Sequence, residues 1–288
     1  MSDSCERCYD SGLIIDSEKF SKVVNKLREF FLKKNFIEVH TQNRLSILAA
    51  CEDPFNVQTF NYAGKVWPLV QTGQMWLEYE ILKKPEVAGY FCVTTSYRLE
   101  PNPVPGRHDI IFPMFEFEFK GNMEELIELQ KELLIHLGYN KERFYRNSYK
   151  AIAEEFETTE LEHEHEERLY KEKSEVSFIT DFPEFTSPFW NMRRNPDDDT
   201  AKKVDVILSG METFGSAERE TDIETMKSTF NTIMEGTYKD KLYELFGEER
   251  TQGELKEYFE FDFMVRSGCG IGLTRLLKSM EKEDKLDS

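Results

Sequence analysis

The stretch YFCVTTSYRLEPNPVPGRHDIIFPMFEFEF, residues 90–119, holds two strand-forming runs around a loop. The first run, 90–100, is rich in Tyr, Thr, Val and Phe; the second, 110–119, interleaves aromatic residues with Met and Glu. Prolines at 101, 103 and 105 and a glycine at 106 stiffen the connection and keep it out of helix or sheet. The pattern predicts an antiparallel hairpin with a long loop. Side chains alternate across a strand. Arg98 and Glu100 therefore share a face with Thr94 and Ser96, and Phe112, Met114, Glu116 and Glu118 share one on the return strand. Phe115, Phe117 and Phe119 take the opposite face, where a core is expected. Pro113 cannot donate to a ladder, so it predicts a bulge or an edge.

Upstream, SEKFSKVVNKLREFFLKK (17–34) places Phe20, Val23, Val24, Leu27, Phe30 and Phe31 at helical spacing on one face. FIEVHT follows as a short strand, then a mixed region that ends in a second helix from about Gln74. Downstream, 123–138 reads as a helix, VSFITDFP and KKVDVILSGMET as strands, and 221–258 as mainly helical. No internal repeat is visible. Clustered strands with helices that do not alternate with them predict an antiparallel sheet flanked by helices, an α+β fold.

Composition narrows the function. The chain has 288 residues and a net charge of −18, which disfavours broad non-specific binding to phosphate backbones. Much of the acid lies in AEEFETTELEHEHEERLYKEKSE, 153–175, where His163 and His165 stand among glutamates; the expectation is a solvated, charged helical insertion. No apolar run approaches the roughly 20 residues a membrane span needs, and the polar, acidic first residues do not read as a signal peptide. Five scattered cysteines, at 5, 8, 51, 92 and 269, point to a reducing, cytoplasmic setting. Cys5 and Cys8 form a CxxC with no second pair to complete a zinc site, and 1–16 is expected to be a flexible tail.

Near the C-terminus, SGCGIGLTRLLKSM (267–280) presents Gly268, Gly270 and Gly272 before a helix with Arg275 in it. It is neither a P-loop, lacking the Lys-Ser/Thr, nor the G-x-G-x-x-G dinucleotide turn. Two readings stand: close packing of helix on sheet, or a phosphate cradle. The hairpin weighs toward a ligand. Arg98, Phe112 and the carboxylates on one face, with Arg107 and His108 at the loop's return, are the mix a nucleotide needs. Cations bind phosphate oxygens, an aromatic plane stacks on a base, and carboxylates hold Mg²⁺ or an amine.

SYRLEPNPVPGRHDIIFPMFEFE resembles motif 2 of class II aminoacyl-tRNA synthetases, and the C-terminal glycine stretch resembles their motif 3. LREFFLKKNFIEVHT looks like motif 1, with Gln42 where the family usually has proline. GMETFGSAERETD and QTGQ (Gln71–Gln74) are similar to segments of the aspartyl/asparaginyl branch. The five matches are collinear from about residue 20 to 281. They imply a single catalytic domain over 17–282, with 283–288 a tail, built on the class II type of antiparallel sheet.

The resemblance also implies roles. Arg98 would hold the α-phosphate of ATP, and Arg275 the γ-phosphate side, with Gly270 and Gly272 letting the backbone approach. Glu100 is the Glu of the motif's Arg-x-Glu. Phe112 would stack on adenine, Arg107 and His108 would meet the outer phosphates, and Glu212 would help hold Mg²⁺. Glu52 and Glu116 match positions that bind the α-amino group. Gln71 and Gln74 would contact the amino acid, and Arg219 its carboxylate or side chain. The reaction implied is attack of a carboxylate on the α-phosphorus of ATP, giving an aminoacyl-adenylate and pyrophosphate. A homodimer built through motif 1 is implied as well.

Ile111 stands where synthetases have the Glu of a Glu-Phe pair, and Leu77 where aspartyl enzymes have a lysine. Motif 1 arrives within about 25 residues of the first Met, which leads to the expectation of a free-standing core without an anticodon-reading barrel. HDIIFPMFEFE resembles the rhythm of ammonia-dependent asparagine synthetases, so asparagine synthesis from aspartate and ammonia is the specific expectation. An aminoacyl-tRNA ligase and a non-catalytic regulatory paralogue are the alternatives.

Overall fold

Helix α1 (Ser17–Lys33) is the first element of the computed structural model, which describes residues 15–42, 44–48, 52–99, 104, 107–186 and 188–286. The Asp16 side chain caps it by accepting from the Glu18 and Lys19 N–H groups at 3.0 and 3.1 Å. Val23, Val24, Leu27, Phe30 and Phe31 form its buried stripe, as the spacing predicts.

The strands follow as β1 (Ile37–Glu38), β2 (Gln58–Tyr62), β3 (Lys65–Leu69), β4 (Gly89–Tyr97), β5 (Ile111–Phe119), β6 (Phe144–Ser148), β7 (Val176–Pro183), β8 (Thr200–Leu208), β9 (Met211–Glu218) and β10 (Ser267–Gly272). The remaining helices are α2 (Gln74–Lys83), α3 (Met123–His136), α4 (Tyr149–Glu155), α5 (His163–Glu172), α6 (Ile223–Thr232), α7 (Thr237–Phe246), α8 (Glu248–Tyr258) and α9 (Leu273–Lys282). The described residues build one eight-stranded sheet in the order β1-β4-β5-β10-β9-β8-β7-β6, with β2 and β3 as a separate hairpin. The pairs β1–β4 and β6–β7 are parallel and the rest antiparallel. This is the α+β architecture expected.

The hairpin at 90–119 forms with the predicted faces, and its register sets Thr94 opposite Met114 and Ser96 opposite Phe112. Phe115 and Phe117 are fully buried beneath α1, α3 and α9, where Phe115 stacks with Phe31 and Phe91 and Phe117 packs at a tilt on Phe31. Each such ring contributes roughly 1.5–3 kcal/mol through burial. Glu116 and Glu118, on the opposite face, are equally buried. Pro113 makes no bulge: it pairs with Thr95, one residue past Met114, the last β5 residue that β10 reaches. Locally it is an edge.

Three elements depart from the reading by sequence. KKVDVILSGMET is not one strand but the turn of a β8–β9 hairpin, reversed at Ser209 and Gly210 with φ of 51° and 90°. The β2–β3 hairpin, turned at Ala63 and Gly64, lies inside the region read only as mixed. The glycine stretch is itself a strand, β10, paired on both sides before α9 begins.

Candidate active site

The sheet face opposite the phenylalanine core is covered only in part. A second core, with Leu77, Trp190, Phe230, Leu242 and Tyr258, ties α2 to α6, α7 and α8. On this face, between the start of α2 and the start of α9, lies a cleft of about 960 Å³, counting its open mouth, floored by β5, β9 and β10.

One end is cationic. Arg98 follows β4, where its backbone N–H donates to Ile110 O at 2.8 Å, and its side chain lines the cleft with Arg107, Arg275 and Lys203. Arg275 stands in the first turn of α9; its Nη1 donates to Glu212 O at 2.7 Å and its Nη2 to Arg107 O at 3.3 Å. Burial alone would raise the Glu212 carboxyl, but Lys203, Arg275, Arg98 and Arg107 together hold it below the usual value. Lys203 Nζ lies 2.7 Å from Asp205 Oδ2. Burial, opposed by Lys203, leaves the Asp205 carboxyl at about 7. His108 lines the same end, and its Nδ1 accepts from the Val104 N–H at 3.1 Å. Phe112 and Met114 supply an apolar wall beside it.

The other end is a buried ion network. Arg219 Nη2 donates to Gln74 Oε1 at 2.7 Å and to Glu118 Oε2 at 3.1 Å, and Arg219 Nε lies 3.5 Å from Glu78 Oε1. Glu78 also accepts from Arg266 Nη2 at 2.6 Å, Tyr258 OH at 2.7 Å and Asn191 Nδ2 at 2.8 Å. Gln74 Nε2 donates to Cys269 O at 2.9 Å, which fixes the amide. Two arginines thus face two glutamates, and each charge has a partner. The glycines of β10 make the room. A Cβ on Gly268 would overlap Glu118 Oε2, Arg219 Nη2 and Gln74 Oε1; one on Gly270 would stand 2.8 Å from Met114 Cε.

The structure brings Gln71, Gln74, Arg98, Arg107, His108, Phe112, Glu212, Arg219, Gly270, Gly272 and Arg275 to this cleft. Glu52 and Glu116 stand behind its wall. Glu116 accepts from Thr72 Oγ1, from Gly73 N at 2.8 Å and from Thr94 Oγ1 at 2.6 Å, so its oxygens serve the turn that opens α2. Burial raises its carboxyl despite those bonds. Glu52 accepts from the Gln71 N–H at 3.1 Å and borders a smaller hollow of about 290 Å³. Glu100, Cys5, Cys8 and Cys51 lie outside the described residues.

The sequence reading missed Lys203, Asp205, Glu166, Glu78 and Arg266. The period-two alternation of β8, which puts Lys203 and Asp205 on one face, was the available signal for the first two. Magnesium fits the cationic end. Asp205 Oδ1 is buried with no hydrogen-bond partner, and Glu212 faces the cleft. Among the described residues no three His, Cys, Asp or Glu form a metal cage. One or two carboxylates plus phosphate oxygens is the arrangement magnesium usually takes. No helix among the described residues is long and apolar enough to cross a membrane.

Residues 16–288 match the family model for tRNA synthetases of class II (D, K and N). The aspartate–tRNA(Asp/Asn) ligase of Methanopyrus kandleri is 25% identical over 289 residues, covering 90% of this chain and 62% of that protein. Among solved structures, asparaginyl-tRNA synthetase of Pyrococcus horikoshii, complexed with asparaginyl-adenylate, superposes with a TM-score of 0.74 at 20% identity, covering 94% of this chain and 66% of that one. The asparaginyl-tRNA synthetase of Entamoeba histolytica, also with asparaginyl-adenylate, gives 0.71 at 18% identity, covering 93% and 65%. At these identities the two structures share the fold. The chain spans just under two thirds of the length of all three.

Proposed function

The chain belongs to the class II tRNA synthetases of the D, K and N type, and from that premise we propose that it activates aspartate or asparagine with ATP and passes the aminoacyl group to tRNA. The observation that carries the reading is the polarity of the cleft: four cations around Glu212 at one end, and Arg219 with Gln74 at the other. ATP would lie with its phosphates at the first end and the amino acid at the second, so that the carboxylate meets the α-phosphorus between them.

In this reading Arg98 stabilises the charge that develops on the α-phosphate, and Arg275 and Arg107 take the outer oxygens. Guanidinium groups suit this because they stay charged and can bind two oxygens at once. Glu212 and Asp205 would hold Mg²⁺, which supplies charge neutralisation on the phosphates when bound. Catalysis is positioning and preorganised charge, with no covalent nucleophile from the protein. Arg219 already faces Glu118 and Glu78, and Leu77 is apolar, so an amide fits this end better than a second carboxylate. Leu32 and Ile37, exposed on the segment that resembles motif 1, support a homodimer.

Asparagine synthesis from aspartate and ammonia shares the same first half-reaction, and Ile111, exposed at the end of β5, is the departure that favours it. One experiment separates the acceptors. Mass spectrometry would follow AMP, asparagine and charged tRNA in reactions with Mg-ATP, aspartate or asparagine, and either tRNA or ammonium. Charged tRNA supports the proposal; free asparagine from ammonium moves the acceptor to ammonia; no AMP with any combination overturns amino-acid activation.

A further inference from the structure

The acidic run on α5 is, for the most part, an ordinary solvated face. Arg168 pairs with Glu172 and Lys171 with Glu167, each one turn apart and exposed. Glu166 is different. It lies one turn before Leu169, which is buried, and so points with it toward the sheet. Its side chain is 16% exposed, and that of its partner Arg107 is 13% exposed. Glu166 Oε2 accepts from Arg107 Nη2 and from the backbone N–H of Glu212, the latter at 2.6 Å.

The contact closes a ring. Arg107 O accepts from Arg275, Arg275 donates to Glu212 O, and Glu212 N donates back to Glu166. One carboxylate therefore joins α5, the return of the hairpin loop, α9 and β9. The helix is seated independently: Gly210 faces α5, and a Cβ there would come within 3.4 Å of Glu167 Cα and 3.5 Å of Tyr170 Cβ. Glu166 is in the first turn of α5, where the helix dipole favours a negative charge.

Resting on the proposed ATP site, we infer that Glu166 is a positioning residue for it. An arginine at the end of a long loop has many rotamers to lose on binding phosphate. Glu166 removes most of that freedom beforehand, and it fixes the backbone of Glu212 with the same oxygen. A guanidinium carries five N–H donors, so the donor spent on Glu166 leaves others for phosphate oxygens.

The test is calorimetric titration of Mg-ATP into the wild type and into E166A, E166D, R107A, R98A and the double variant R107A/E166A, with KM values for ATP and amino acid and melting curves alongside. E166A should weaken Mg-ATP binding roughly 10- to 100-fold. It should raise the KM for ATP and leave the KM for the amino acid and the melting temperature near wild type. E166D should recover part of the loss, and the double variant should bind no worse than R107A. Wild-type affinity in E166A, or penalties that add in the double variant, would overturn the inference. Tighter binding in E166A would overturn it too, by making Glu166 a competitor of ATP for Arg107. If R98A loses Mg-ATP while E166A keeps it, the inference fails alone. If the wild type binds no Mg-ATP, the proposed function fails first.

Discussion

Gly268 and Glu118 face each other across the β10–β5 ladder, and the Glu118 carboxylate fills the space that any side chain at 268 would need. Arg219 and Gln74 close the same space from the other sides, so nothing there can yield cheaply. Gly268→Ala should therefore cost about 1–3 kcal/mol or more through overpacking. Gly272→Ala is the control: its Cβ would meet nothing closer than 3.9 Å. Urea unfolding of both variants checks the pair. Equal stability would mean that the glycines of β10 are not there to house the ion network.

Arg98→Ala tests the phosphate end. Arg98 closes no packed core; it follows the last residue of β4 and lines the cleft. Loss of one preorganised donor to developing charge costs on the order of 10²-fold or more in rate. ATP–pyrophosphate exchange should fall by at least that factor with the unfolding midpoint unchanged. Unchanged exchange would remove Arg98 from the chemistry.

Much of this site was legible in the sequence because strands write their faces in alternate residues. Arg98, Phe112 and Met114 could be placed on one face before any coordinate was known, and Phe115 and Phe117 on the other. The β8–β9 turn was legible in its Ser209–Gly210 dipeptide and was passed over because it is only two residues long, so strand-forming residues stand directly on both sides of it. Burial of Glu116, Glu118 and Glu78 was hidden for another reason. A carboxylate is buried only where partners from distant segments meet it, and Arg219 and Arg266 lie about 100 or more residues away from theirs. Glu166 looked like one acid among many, and its burial and its contacts with Arg107 and the Glu212 N–H separate it from its neighbours.

The same non-local pairing predicts a sharp contrast between two ion pairs. Arg266 is fully buried against Glu78, with a donor also to Glu220 O. Arg266→Met would leave Glu78 with one arginine in a site that burial makes hostile to charge, at a cost of about 3–5 kcal/mol. Lys33 and Glu29 form an exposed pair one turn apart on α1. Lys33→Ala should change stability by less than about 1 kcal/mol. Denaturant midpoints of the two variants give the comparison, and a mild effect of Arg266→Met would mean that Arg219 alone compensates Glu78.

Glu118 should make stability depend on pH in an unusual direction. Burial raises its carboxyl first of all, Arg219 pulls it back, and Glu78 pushes it up again, leaving it at about 7 against an ordinary value of 4.5. Because the folded value lies above the unfolded one, the native state holds this proton more tightly. Its contribution is complete below about 4.5 and is lost as pH rises through about 7, after which it is flat. At about 1.4 kcal/mol per unit, that is roughly 3 kcal/mol across the window. Glu118→Gln keeps the shape and an acceptor for Arg219 but cannot titrate. The difference between the wild-type and Glu118→Gln stability curves, measured by thermal unfolding from pH 4.5 to 8, cancels the groups that do not interact with Glu118 and isolates the titration of Glu118 with its coupled neighbour Glu78. It should fall steadily as pH rises and then level off. A flat difference would mean that Arg219 and Arg266 keep Glu118 ionised throughout, and that the two-arginine, two-glutamate network is fully charged at every pH at which the protein folds.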